Sequence, residues 1–397
     1  LKIVYISKYA AYNPFGMDTR HIYLSRELVS QGHEVNLILS DANHNLKSLP
    51  ALYEDTIDGV KVNWIKTLKY RKVYGVFRIL SWLSFELQLR RFLRKNISSL
   101  DVVIVSSLSL LTILNGIYLK RKHQCKLVFE VRDIWPLILR RIKNLSSLNP
   151  AYKILARIEK RGYNHADLIV GTMPNLKEHV KSIIDKDKPV IWIPHLVNPK
   201  LEYRDTHRYH AAMEAFKKED AKVIGYAGSV NKSSCLDVFI KAANALQNEN
   251  IRFVILGEGP LLNEIKNLAT SNHIHFYNKV NQNEVLAFLK DCDILYDGYF
   301  KSDLYQFGNS RNKYVEYCLA AKPIILSYEG FPLFVETHHC GIVIRPESVE
   351  SIIEGVQLLV NKDQSKLQEM GRNALTFAEQ HLKVKPQTEK LIHEIAL

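Results

Sequence analysis

Apolar, β-branched runs alternate with helix-length amphipathic segments along the whole chain. In the first half, residues 1–7, 34–39, 60–65, 101–106, 126–131, 167–171 and 190–193 read as strands, with helices such as 18–31 and 151–165 between them. Strands that are apolar throughout, instead of at every second position, predict a parallel sheet covered on both faces. From 194 to 209 the rhythm gives way to prolines, histidines and polar residues, which reads as a linker. It then restarts: 222–226, 251–256, 273–277, 293–296, 323–327 and 341–344 read as strands, and 236–247, 260–271, 282–290, 312–321 and 348–361 as helices. The expected architecture is α/β, with two doubly wound parallel-sheet Rossmann-like domains, 1–200 and 201–380, facing across a cleft, and a final helix, 381–397, packing back on the first domain. Such sheets bind ligands at the carboxyl ends of their strands.

Composition leaves that picture intact. A chain of 397 residues, 47% hydrophobic and 24% charged, suits two globular cores and neither a disordered tail nor a fibre. The five cysteines (Cys125, Cys235, Cys292, Cys318 and Cys340) are scattered and form no C-x-x-C pair, poor material for a disulfide framework or zinc site, which points to a reducing, cytoplasmic compartment. No apolar run reaches the length of a spanning helix. Charge does change the picture. Residues 1–190 carry 31 basic and 16 acidic residues (+15), the remainder 23 and 25 (−2), so a positive field belongs to the first half. Residues 70–95 set Arg71, Lys72, Arg90, Arg91, Arg94 and Lys95 around Phe77, Trp82 and Phe85, as expected for an interfacial helix on anionic lipid. Nucleic acid is the weaker partner, because no binding module accompanies the charge.

Candidate chemistry concentrates in the second half. Tyr226-Ala227-Gly228-Ser229-Val230-Asn231-Lys232 is a strand running into a small-residue turn, where backbone N–H groups can approach an anion. Gly257-Glu258-Gly259-Pro260 ends the next strand; it is not G-x-G-x-x-G, and a nicotinamide site is excluded on that ground. In Gly308-Asn309-Ser310-Arg311-Asn312-Lys313-Tyr314-Val315-Glu316, Ser310 is placed to cap a helix whose first turn holds Arg311, Asn312 and Lys313, a start suited to a diphosphate. Glu316, three residues after Lys313, either pairs with it or accepts hydrogen bonds from a ligand diol. Asp291-Cys292-Asp293 and His338-His339-Cys340 read as a helix boundary and a solvated loop, not as metal sites.

This order of motifs, with Lys322-Pro323 after the helix, Gln31-Gly32-His33-Glu34-Val35 and Ile193-Pro194-His195, resembles glycosyltransferase family 4 of the GT-B fold over nearly the whole chain. The resemblance implies that Glu316 is the second glutamate of the family's E-x7-E motif and holds the donor ribose, while the first falls on Gly308. It implies donor contacts from Gly16, Gly228, Ser229, Lys232, Gly257, Gly308, Asn309, Ser310, Asn312 and Lys313. Val131-Arg132-Asp133-Ile134-Trp135-Pro136 and Gly308-x-Ser310-x-Asn312-Lys313 are similar to a subgroup that adds N-acetylfucosamine-type sugars in bacterial surface polysaccharides; Ala321 departs from it.

Arg132 and Asp133 follow a strand's carboxyl end, where Asp133 is placed to act on an acceptor hydroxyl. The expected function is retaining transfer of a hexosyl or N-acetylated deoxy sugar from a nucleoside diphosphate donor, uridine-linked, to a lipid-linked or glycan acceptor of O-antigen or capsule type, with no cofactor or metal, at the inner face of the cytoplasmic membrane. The alternatives are a sugar-nucleotide epimerase or hydrolase of the same fold, and a non-catalytic partner or membrane adaptor.

Overall fold

The computed structural model describes residues 1–70, 76–107, 109–143, 145–217, 221–247 and 250–397. The chain divides into two compact units, Leu1–Pro199 with Lys383–Leu397, and Lys200–Leu382.

The first unit is built on β1 (Lys2–Ile6), β2 (Glu34–Ser40), β3 (Glu54–Ile57), β4 (Val60–Ile65), β5 (Val102–Ser106), β6 (Lys126–Val131), β7 (Leu168–Gly171) and β8 (Val190–Trp192), in the sheet order β3-β4-β2-β1-β5-β6-β7-β8. All neighbours are parallel except β3, which folds back antiparallel on β4. That edge strand is absent from the sequence reading because Glu-Asp-Thr-Ile is short and polar, with the alternating exposure of an edge. The inner strands are buried along their length: β5 has no exposed position and β1 only Lys2. Ile3, Tyr5, Leu37, Leu39, Val62, Ile104 and Val128 form one core with Ile22, Leu24 and Leu28 of the helix Arg20–Ser30. The last helix, Val384–Ala396, adds Val384, Leu391 and Ile395 to that core, and its Thr388 Oγ1 accepts a hydrogen bond from Gln31 at 2.9 Å.

The second unit has β9 (Lys222–Ala227), β10 (Ile251–Leu256), β11 (Ile274–Tyr277), β12 (Ile294–Gly298), β13 (Ile324–Ser327) and β14 (Gly341–Ile344), all parallel, in the order β11-β10-β9-β12-β13-β14. Strand order reverses between β9 and β12, leaving an opening at their carboxyl ends where a ligand meets loops from both directions. The polar 194–209 stretch is strapped to the helix Gln282–Lys290: Arg204 N donates to Asn283 O at 2.8 Å, and His207 Nε2 and His210 Nδ1 reach Asp291 Oδ2 at 2.9 and 2.6 Å. Tyr209 N donates to His207 Nδ1 at 3.3 Å, which puts the imidazole proton on Nε2 and uses Asp291 as a hydrogen-bond acceptor.

Candidate functional site

In the second unit the turns after β9 and β10 touch backbone to backbone. A Cβ on Gly257 would fall 1.9 Å from Gly228 O, and one on Gly259 2.1 Å from Val230 O, so glycine is required at both contacts. Their own amides are used: Gly228 N donates to Leu256 O at 2.9 Å and Gly257 N to Tyr277 O at 3.1 Å. The role of these two glycines is therefore close approach, not amide donation. Ser229 is exposed, and the Tyr226 hydroxyl donates to its carbonyl at 2.8 Å, holding the turn in place.

The helix that carries Glu316 is shorter than its sequence suggests. It runs Tyr314–Leu319, and Lys313, not Ser310, stands at the N-cap position with no side-chain cap bond. Arg311, Asn312 and Lys313 form a tight turn ahead of it, closed by Tyr314 N to Arg311 O at 3.2 Å and Val315 N to Asn312 O at 3.1 Å. Six residues make under two turns, so the cations carry more of any anion chemistry than the helix end does.

The cations are arranged by a residue that the sequence reading missed. Asp297, on β12 and fully buried, accepts through one carboxylate oxygen from Arg311 at 2.6 Å and from Lys313 Nζ at 3.0 Å. Arg311 also donates to Gly298 O at 3.0 Å and Ser233 O at 2.7 Å, and its guanidinium lies 3.5 Å over the Tyr299 ring. It is an internal brace, so the expectation that Arg311 is free for a diphosphate is corrected. Lys313 Nζ is held 3.9 Å over the Tyr226 ring, and a Cβ on Gly228 would lie 2.7 Å from it. An ammonium group therefore sits against the β9 turn, in place to meet a phosphate there. Gly228→Ala, which also has to hold φ +153°, should displace this ammonium and weaken uridine diphosphate about tenfold, the loss of one charged hydrogen bond, with little change for uridine. Calorimetry on both ligands checks it, and equal losses would make the turn merely structural.

Because Lys313 turns to Asp297, Glu316 is left without a basic partner among the described residues. It is 8% exposed and receives only Gln282 Nε2, at 3.4 Å. Burial raises its carboxyl above the ordinary glutamate value, with its own backbone amide and Gln282 opposing. A buried carboxylate with spare acceptor capacity suits a ligand diol. Asn309 and Ser310 are partly exposed and Asn312 exposed; none makes a side-chain hydrogen bond within the described residues. Gly308 has φ 81°, a conformation that favours glycine, so the absence of a glutamate here is also a backbone requirement. Lys232 is exposed on the one-turn helix Lys232–Ser234, where the neighbouring Ser233 carbonyl meets Arg311.

In the first unit, Arg132 and Asp133 follow β6. Arg132 is anchored by its backbone: its N–H donates to Ser107 Oγ at 2.9 Å, while its carbonyl accepts from Thr172 Oγ1 at 3.1 Å. Beneath them the fully buried Glu130 is bridged to Arg20 at 2.9 Å, and Arg20 reaches Pro194 O at 2.6 Å. The Asp133 carboxylate accepts no hydrogen bond within the described residues, and burial raises its pKa while Arg132 opposes. Gly16 lies elsewhere: its N–H donates to Tyr12 O at 2.9 Å and its Cα presses on Asn45 O, 2.4 Å from where a Cβ would be. The Gly16 N–H itself is thus committed within the loop.

The helix Val76–Asn96 corrects another expectation. Phe85 is fully buried and Trp82 donates to Tyr9 OH at 2.7 Å, so neither faces outward; Phe77, Leu80, Leu83 and Leu87 do, at 73, 42, 47 and 65% exposure. Arg90 lies 3.7 Å over the Tyr118 ring, while Arg91, Arg94 and Lys95 are exposed. Arg71 and Lys72 lie outside the described residues. No helix among the described residues is long and apolar enough to cross a membrane.

Two family models match the chain in succession: "Glycosyltransferase Family 4" over residues 16–201 and "Glycosyl transferases group 1" over 211–377. No curated protein sequence matches. Among solved structures the chain is similar to sucrose-phosphate synthase from Thermosynechococcus elongatus, at TM-score 0.75 and 14% identity, covering 99% of this chain and 98% of that one. It is also similar to Anabaena HepE in complex with UDP and glucose, at 0.68 and 12%, covering 100% and 99%. A third is the trehalose-6-phosphate protein from E. coli bound with UDP-2-fluoro glucose, at 0.74 and 11%, covering 100% and 99%. The paired sheets and the two consecutive matches make this chain a GT-B glycosyltransferase of the family 4-like kind.

Proposed function

We propose that this protein transfers a sugar from a uridine diphosphate donor to a lipid-linked or glycan acceptor in surface polysaccharide synthesis, with retention of configuration. The observation that carries the reading is the buried Glu316, free of any basic partner among the described residues, on the helix next to the ammonium that Asp297 holds against the Gly228 turn. In this reading Glu316 takes the ribose hydroxyls and Lys313 the diphosphate, with exposed Lys232 and the amides of Ser229, Asn309, Ser310 and Asn312 nearby, and no metal is assigned a part. UDP in HepE and UDP-2-fluoro glucose in the E. coli protein support the uridine base. Gly308 leaves room for a donor sugar that is not gripped by a glutamate there, in keeping with an N-acetylated deoxy sugar. Asp133 is the acceptor-side group, with Arg132 beside it.

Thermal stabilisation by a panel of nucleotide sugars tests the donor, since a ligand at 100 times its dissociation constant adds about 2.7 kcal/mol. Stabilisation by guanosine or adenosine diphosphate sugars but not uridine ones would sink the base assignment. Nucleotide binding without UDP release over lipid extracts would favour a non-catalytic partner.

The same reading places the protein on the inner face of the cytoplasmic membrane through the helix Val76–Asn96, whose exposed Phe77, Leu80, Leu83 and Leu87 enter anionic lipid beside Arg91, Arg94 and Lys95. Leu83→Glu should lower binding to phosphatidylglycerol vesicles about tenfold, the contribution of one leucine moved into lipid. Binding should also fall with salt. Cosedimentation indifferent to both the substitution and the salt would remove the helix from the membrane.

A further inference from the structure

The first unit contains a recess lined by none of the residues assigned to the donor or to catalysis above. It encloses about 330 Å³, near the lower limit of small-molecule pockets, at the carboxyl ends of β2 and β4. Its walls are the loop after β2, with Asn43, His44, Lys47 and Ser48, and the segment after β4, with Lys69 and Tyr70. Asp41 is the carboxylate among the lining residues, and it is satisfied: it accepts from Tyr53 OH at 2.8 Å, Thr67 N at 2.8 Å and Lys69 Nζ at 3.0 Å. Lys47 has no acidic partner among the described residues, and its side chain is exposed at the mouth. Two lysines against one saturated carboxylate give the recess a net positive charge suited to a phosphoryl anion.

The loop is tied to the segment that follows β1. Lys47 N donates to Phe15 O at 2.7 Å, Asn43 Nδ2 to Ala10 O at 2.7 Å, and Asn45 Nδ2 to Tyr9 O at 3.0 Å. Gly16 is the contact that lets Asn45 approach, which gives that glycine a structural task in shaping this wall.

Two features say where the anion comes from. Exposed leucines belong to the two segments that form it: Leu49, in its lining, is 47% exposed, and Leu68, next to Lys69 in the chain, 57%. The recess is also tied to the helix Val76–Asn96. His44 lies 5.0 Å from the Tyr9 ring, Tyr9 OH accepts from Trp82, and Leu68 N donates to Ser84 Oγ at 3.3 Å. A cationic pocket with the exposed Leu49 in its wall and Leu68 next to its Lys69, fastened to an apolar exposed helix, matches an amphiphile with a phosphoryl head and a hydrocarbon tail.

We propose that this recess binds the phosphoryl group of a lipid-borne acceptor, with Lys47 and Lys69 on the anion and Leu49 and Leu68 along the first carbons of the lipid. The proposal rests on the transferase reading and names the acceptor's anchor within it.

Calorimetry of the full chain saturated with UDP tests it, with farnesyl diphosphate, inorganic pyrophosphate and farnesol as probes. Farnesyl diphosphate should bind in the presence of UDP, more tightly than pyrophosphate, with farnesol inert. Lys47→Gln should weaken it about fivefold, the upper end for an exposed ion pair, and Lys47→Arg should restore it. Displacement by UDP would show that the probe occupies the donor site and would overturn the proposal, as would an affinity indifferent to Lys47→Gln. Pyrophosphate binding as tightly as farnesyl diphosphate would assign the recess to free phosphate and refute the lipid source. Absence of farnesyl diphosphate binding where UDP still stabilises the protein overturns this site alone, whereas failure of UDP to bind removes the transferase reading beneath it.

Discussion

Asp133→Asn should lower turnover about 100-fold or more, the usual contribution of a positioned general base, while donor affinity stays constant. The substitution keeps the size of a side chain whose carboxylate accepts no hydrogen bond within the described residues, so no hydrogen bond is broken there. Burial raises the carboxyl of Asp133 above the ordinary aspartate value. A base must be deprotonated, so wild-type turnover should rise with pH through that raised value, and the variant should lose that limb. Stability carries the opposite sign. A carboxyl whose folded pKa is raised contributes stability below its unfolded pKa and loses it as pH rises through the folded one. At neutral pH the asparagine variant should therefore melt at or above wild type. Near-normal turnover over the acceptor that wild type uses would reduce Asp133 to a turn residue.

Glu316→Ala should weaken uridine diphosphate about 10- to 150-fold, the range for losing hydrogen bonds to a charged group. Deoxygenated ribose analogues separate the role from a general one: 2′,3′-dideoxyuridine diphosphate should bind wild type and variant alike. Since burial raises this carboxyl as well, donor affinity should fall as pH drops through its raised value, in the direction of losing the ionised acceptor. An affinity for uridine diphosphate unchanged by the substitution would refute the ribose role and leave Glu316 an unexplained buried acid.

The alternation of apolar runs and amphipathic segments determined by itself the two parallel sheets and most of their strands, because a strand buried on both faces needs apolar residues throughout and leaves that mark in one dimension. β3 escaped, since an edge strand needs no such run. The glycines at 228 and 257 are legible for a local reason, each sitting where a strand ends, and the acid at 316 by its place in the motif that resembles that of family 4. What no spacing could show is which charges pair. Lys313 and Glu316 lie three apart in the chain, yet Asp297, brought from β12, takes the lysine and leaves the glutamate, among the described residues, to Gln282 alone. Arg311, equal to Lys313 as a sequence signal, is consumed by Asp297, Gly298 and Ser233, residues 13 to 78 positions away. On the helix Val76–Asn96 composition promised an aromatic outer face, and packing turned Phe85 inward and leucines outward. Charge pairing and side-chain facing are settled by what arrives from distant strands, and only the tertiary structure decides that.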